Sequence, residues 1–166
     1  LLLLEPGEIG PDGEVVLRER RAAHLLDVLK ATPGQVLQAG VVDGEVGEAE
    51  VLAATAGEVR LRLCRLGPPP PPTGDVLLLA VPRPKVLLRM LELAAALGYA
   101  EIALFRSWRV DKSHLESQAM LPAVQQEHLR LGLEQARRTR LPRIRSFLRF
   151  RPFVEGDLPQ LPLPAH

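Results

Sequence analysis

The chain has a single cysteine in 166 residues, Cys64, so no internal disulfide can form and no cysteine-based metal spacing exists, as expected in a reducing compartment. The leucines at 1–4 are too few for the core of a leader, and the apolar run at 76–81 is six residues long, far short of a membrane span. The expectation is a cytoplasmic protein with no membrane partner. No glycine follows that run: Pro82-Arg83-Pro84-Lys85 gives backbone no close approach to a pyrophosphate, which disfavours a dinucleotide site. There is no Gly-x-Ser-x-Gly elbow, and His24, His114, His128 and His166 show no ligand spacing. Hydrolase and metal chemistry therefore have no visible residues.

What is present is an ordinary globular composition, 46% hydrophobic and 25% charged, with the charge unevenly placed. Residues 1–67 carry 7 Lys+Arg against 11 Asp+Glu, whereas residues 74–166 carry 14 against 9. A basic second part under a net charge of only +1 points to a polyanionic partner.

The first part reads as small and mostly β. Residues 15–17 make a short strand, and 21–31 have helical period and close at Thr32-Pro33-Gly34. Residues 36–42 lead into Asp43-Gly44, a hairpin signal, and 45–54 return. From 58 to 65 the pattern alternates, Val59, Leu61 and Leu63 against Arg60, Arg62 and Cys64. Short strands with one small helix predict a compact barrel over residues 1–67. The proline run at 68–72 can enter neither helix nor sheet interior and sets a stiff linker over 68–73.

From residue 74 the pattern is strand, helix, strand. The run at 76–81 stops at Pro82; Val86, Leu87, Met90, Leu91, Ala94 and Leu97 recur at helical spacing before Gly98; residues 102–105 form the next run. Such a unit is a parallel crossover, and ligands bind beyond the carboxyl ends of its strands. The strand ends carry Arg83, Lys85, Arg106, Trp108 and Arg109, with Lys112 just beyond. Cations beside a stacking ring are what looped or single-stranded RNA requires. Residues 115–138 contain a second long helix, with Leu129, Leu133 and Ala136 on one stripe and Glu134 and Arg138 at i, i+4. Residues 143–150 alternate Arg143, Arg145 and Arg149 with Ile144, Leu148 and Phe150, predicting a third strand with one wet face. Residues 152–158 predict one helical turn. Between 137 and 151 lie seven arginines.

Jointly these residues resemble the RsmE family of SPOUT RNA methyltransferases. His24 through Lys30 with Pro33-Gly34-Gln35 look like the family's His-x-x-x-Val-Leu-Arg and following Gly, in a PUA-like barrel. Pro82-Arg83, Leu97-Gly98, Ile102 and Arg106-Ser107 look like its Pro-Lys, Glu-Leu-Gly-Val, Ile and Glu-Arg-Ser pattern. Glu134-Gln135-Ala136-Arg137-Arg138 with Leu141-Pro142 resemble its Glu-Gln-x-x-Arg helix end, the most specific match. Leu93 and Ala96 depart from it where the family has Lys and Glu.

The resemblance implies an α/β fold, a PUA-like β-barrel followed by the first half of a SPOUT domain at 74–166. The implied activity is methylation of N3 of a uridine in small-subunit ribosomal RNA, with S-adenosylmethionine as cofactor and a homodimer when full length. The RNA contacts it suggests are His24, Lys30, Arg83, Lys85, Arg106, Trp108, Arg109, Lys112, Glu134, Gln135, Arg137 and Arg138. No residue stands out as a general base. The family's Gly-rich knot loop has no counterpart in these residues, so the expectation is a fragment, inactive alone, with no cofactor-binding residues and an open sheet edge. The alternative is a non-catalytic RNA-binding or ribosome-assembly factor on the same fold, to which the residues at 93 and 96 lend weight.

Overall fold

The computed structural model describes residues 1–108 and 110–161, in two units, Leu1–Pro69 and Pro70–His166. The first holds five strands: β1 (Leu2–Leu4), β2 (Glu14–Arg18), β3 (Val36–Val41), β4 (Val46–Thr55) and β5 (Glu58–Gly67), in the order β1-β3-β4-β5-β2. The expected barrel is thus a curled half-barrel whose outer strands β1 and β2 stay unpaired with each other. The turn after β3 forms where Asp43-Gly44 predicts it: Asp43 takes a φ of 56° and the Val41 N–H donates to Glu45 O. Alternation in β5 sends Val59 and Leu61 inward, while Arg60 and Arg62 reach outward to the Glu14 carboxylate on β2. The leucines at 2–4 were legible only as a short apolar run. They form a strand because the chain returns to pair them in parallel with β3, burying Leu4 completely.

Helix α1 (Glu19–Asp27) buries Ala22 and Leu25, one face at i, i+3. It starts two residues earlier and ends four earlier than its period predicts. The Ala31 N–H folds back to Leu25 O, and Lys30 takes a left-handed φ of 52°, so the chain leaves the helix before residue 31.

The second unit is a parallel sheet, β6 (Val76–Ala80), β7 (Glu101–Phe105) and β8 (Arg143–Phe147), in that order. Its crossovers are α2 (Pro84–Leu97) and, after the four-residue turn α3 (Lys112–Leu115) and a 3₁₀ turn (Gln118–Met120), α4 (Pro122–Ala136). Helix α2 starts at a proline, which needs no donor at its first position, and stops at Gly98, whose φ of +83° a side chain resists. Two right-handed crossovers in the same direction set α2 and α4 on one face of the sheet. Leu87, Leu91, Leu129 and Leu133 are buried there, each contributing about 2 kcal/mol of burial. Gly132 of α4 lies so close to the Glu92 backbone of α2 that a side chain would overlap the Glu92 carbonyl.

Central β7 is buried on both faces, which is why it reads as a continuous apolar run. Its second face is covered by the last described residues: the Phe153 ring stacks 5.2 Å from Phe105 and packs 4.6 Å from Phe147. Strand β8 accordingly ends at Phe147, not 150, because Phe150–Pro152 already turns helical. Arg145, expected on a wet face, is half-buried, donates to the buried Glu101 at 3.3 Å and lies 5.0 Å from the Phe147 ring. Strand alternation could not foretell that later residues return across that face.

Candidate nucleic-acid interface

At the carboxyl edge, hydrogen bonds tie the strand ends side by side: Val81 N–H donates to Phe105 O at 2.9 Å and Arg106 N–H to Phe147 O at 3.0 Å. The residues that follow each strand therefore emerge together. Arg83, Lys85 and Arg106 are exposed there and have no side-chain partner among the described residues. Trp108 is 95% exposed, so the only tryptophan of the chain packs into no core. A bare indole costs apolar exposure unless something covers it, and a nucleobase face is a fitting cover. Lys112 is exposed and pairs with Glu116 at 3.2 Å. The Asp111 carboxyl accepts the Ser113 N–H at 2.9 Å; that hydrogen bond holds it below its ordinary value and starts α3. Arg109 lies outside the described residues.

The other predicted contacts in this unit are elsewhere. Helix α4 runs antiparallel to the strands, so Glu134, Gln135, Arg137 and Arg138 sit at the amino edge, about 16 Å from the first group along five-residue strands. Arg138 donates from Nε to Ala96 O at 3.1 Å and from Nη1 to Pro71 O at 3.4 Å, and its guanidinium fills the space where a side chain at 98 would lie. It clasps the end of α2 to the incoming linker. Arg137 takes a left-handed φ of 54° as the last cap of α4 and is exposed, as is Gln135, while Glu134 is half-buried. In the first unit, His24 and Lys30 are both exposed, beside Val28 at 64% and Leu29 at 46% exposure.

Two features were not anticipated. His128 Nδ1 meets Glu92 Oε1 at 2.6 Å between α4 and α2. Gln125 is 6% exposed, and its Nε2 has no hydrogen-bond partner among the described residues. The signal was available: residue 125 sits on the apolar stripe of 129 and 133. No group of histidines, cysteines and carboxylates among the described residues could hold a metal, and no described helix is long and apolar enough to cross a membrane.

Residues 70–160 match the family described as the RNA methyltransferase domain. The chain belongs to that family. A curated relative, ribosomal RNA small subunit methyltransferase E of Treponema pallidum (strain Nichols), is 31% identical over 134 residues, covering 76% of this chain and 48% of its own length. This RNA methyltransferase domain chain thus spans about half of that relative. Among solved structures, a probable rRNA-methyltransferase from Porphyromonas gingivalis superposes with a TM-score of 0.70 at 18% identity, covering 93% of this chain and 63% of that one. Ribosomal RNA small subunit methyltransferase E from Neisseria gonorrhoeae, bound to S-adenosyl methionine, gives 0.65 at 18% identity, covering 94% and 66%. At these identities the superpositions speak for the fold, half-barrel and parallel sheet alike.

The described residues do not fit the S-adenosyl methionine that the Neisseria gonorrhoeae neighbour carries. S-adenosylmethionine presents a cationic sulfonium, and the strand ends here present free arginines and lysine. Residues 81–83, 106–108 and 148–149 contain no glycine at which backbone could approach an adenosine. No carboxylate stands at these positions to meet the sulfonium.

Proposed function

We propose that this chain supplies the RNA-holding part of a methyltransferase that modifies N3 of a uridine in small-subunit ribosomal RNA, in the cytoplasm, with S-adenosylmethionine as methyl donor. The observation that carries this reading is the carboxyl-edge cluster: three cations without a side-chain partner among the described residues and an exposed tryptophan at the strand ends of a domain in an RNA methyltransferase family. Arg83, Lys85 and Arg106 take phosphate and base edges, and Trp108 stacks a base. His24 and Lys30 form a separate accessory contact on the first unit. Gln135 and Arg137, exposed at the amino edge, extend the RNA path only if it rounds the sheet. The reading extends to a homodimer of the full-length protein, checked by sedimentation.

The test is titration of a single-stranded, uridine-containing RNA at several salt concentrations. Each phosphate contact contributes about −0.7 to the slope of log K against log salt. A slope indistinguishable from zero sinks the proposal. Calorimetric titration of S-adenosylmethionine into the 166-residue chain is expected to show no saturable binding, since the described residues offer it no seat. A second reading, an RNA-binding protein without chemistry, draws on that same lack of fit. Mass spectrometric detection of N3-methyluridine in small-subunit RNA from cells with and without the gene separates the two.

A further inference from the structure

Resting on the RNA reading above, we infer that an RNA phosphate seats between the first turns of α2 and α4, with the Gln125 side-chain amide as its buried donor. The two helices are parallel crossovers of one sheet, and Gly132 against Glu92 fixes their register. Counting back, α4 extends ten residues from Gly132 to Pro122 and α2 eight from Glu92 to Pro84. The two N-termini therefore lie within about 3 Å of each other along the axis. With a glycine at the contact, the axes are about 8 Å apart. The two first turns thus stand side by side at nearly one level of the helix pair.

Both N-termini are prepared for such a guest. Each begins with proline, neither has a side-chain cap, and neither has an acidic residue in its first turn. The backbone N–H groups of Lys85, Ala123 and Val124 precede the first helical acceptors, and the positive ends of two helix dipoles stand side by side. Arg83 and Lys85 add free charge at the rim of α2.

The independent sign is Gln125. His128 and Gly132 face α2, as their contacts with Glu92 show, and Gln125 lies three and seven residues before them on the same stripe. A helical side chain leans toward the N-terminus of its helix, so this amide is aimed into the space between the two first turns. Its Nε2 is buried there with no partner among the described residues, a costly state in a closed interior. The 3₁₀ turn Gln118–Met120 packs against both helices, so phosphate entry moves that turn.

Nuclear magnetic resonance of the ¹⁵N-labelled chain tests this directly, with inorganic phosphate titrated against chloride at matched ionic strength. The expected result is saturable, phosphate-specific shifts of the Gln125 side-chain amide, of the Lys85 and Val124 backbone amides and of residues 118–120. Unmoved Gln125 signals at saturating phosphate overturn the inference. In parallel, Gln125→Met, close in volume and without the orphan donor, is expected to bind the single-stranded RNA about tenfold more weakly at equal or higher Tm. Wild-type affinity in Gln125→Met, with affinity lost in Arg106→Ala and Trp108→Ala, removes the phosphate seat and leaves the RNA reading standing. Absence of RNA binding by the unaltered chain removes both.

Discussion

At the carboxyl edge of the parallel sheet, Arg83, Lys85 and Arg106 have no side-chain partner among the described residues; at the amino edge, Arg138 is committed to the carbonyls of Ala96 and Pro71. Both edges are basic in sequence, and the difference is what lies beside the charge. A parallel crossover helix ends at the amino edge, where its last carbonyls lack intrahelical donors, and a nearby guanidinium is drawn to satisfy them. It begins at the carboxyl edge, where the unmade groups are N–H donors that repel cations and leave them facing water. The polarity of the helices thus separates Arg138, held by carbonyls, from Arg83 and Arg106 at the opposite edge.

Arg138→Ala gives the largest expected effect that sharpens this contrast. Loss of charged hydrogen bonds to two carbonyls is expected to lower stability by about 3 kcal/mol, read by urea denaturation, with RNA affinity of the folded fraction unchanged. A variant that folds normally and loses RNA affinity breaks the comparison, because Arg138 would then belong with the free cations. Trp108→Ala should show the opposite signature, about 2 kcal/mol of RNA affinity lost and no change in Tm, as befits a ring that touches no core. A fall in Tm with unchanged affinity counts against stacking there.

Arg106→Ala is expected to reduce the salt slope of RNA binding by about 0.7, one phosphate contact, whereas Arg145→Ala should leave it alone because that guanidinium is held by Glu101 and Phe147. Equal slopes in both variants erase the distinction. The smallest effect concerns Asp111, whose carboxyl is held below its ordinary value of 3.8 by the hydrogen bond from Ser113 N–H. A depressed value stabilises the fold above pH 3.8 and the contribution disappears as pH falls through the lower folded value. Melting curves of Asp111→Asn should converge on those of the unaltered chain in acid and lie slightly below them near neutrality.

Much of the fold was legible because local signals and tertiary outcome agree. Pro82 and Pro84 end β6 and start α2, Gly98 stops α2, and Asp43-Gly44 turns β3 into β4, each through the conformations its own residue permits. The carboxyl-edge cluster was legible for the same reason, since the strand–helix–strand order alone fixes which loops meet. Strand β1 was not, because three leucines become a strand only when β3 arrives beside them. Nor was the end of α1, which a left-handed Lys30 decides without the glycine that usually marks such an exit. The Glu-Gln-x-x-Arg stretch was read as an RNA contact from resemblance, yet its position at the amino edge follows from the direction of α4.

By itself, the sequence determined the two-part organisation, the parallel sheet and the family, because hydrophobic period, proline and glycine act over a few residues and survive in one dimension. Only the tertiary structure decided which of the many arginines are engaged and which are free. It also decided that Arg145 leaves the solvent and that Gln125 is buried between two helix starts with its amide unmet. Those outcomes depend on which carbonyl, carboxylate or ring a distant part of the chain brings within hydrogen-bonding reach, and such proximity is created by folding.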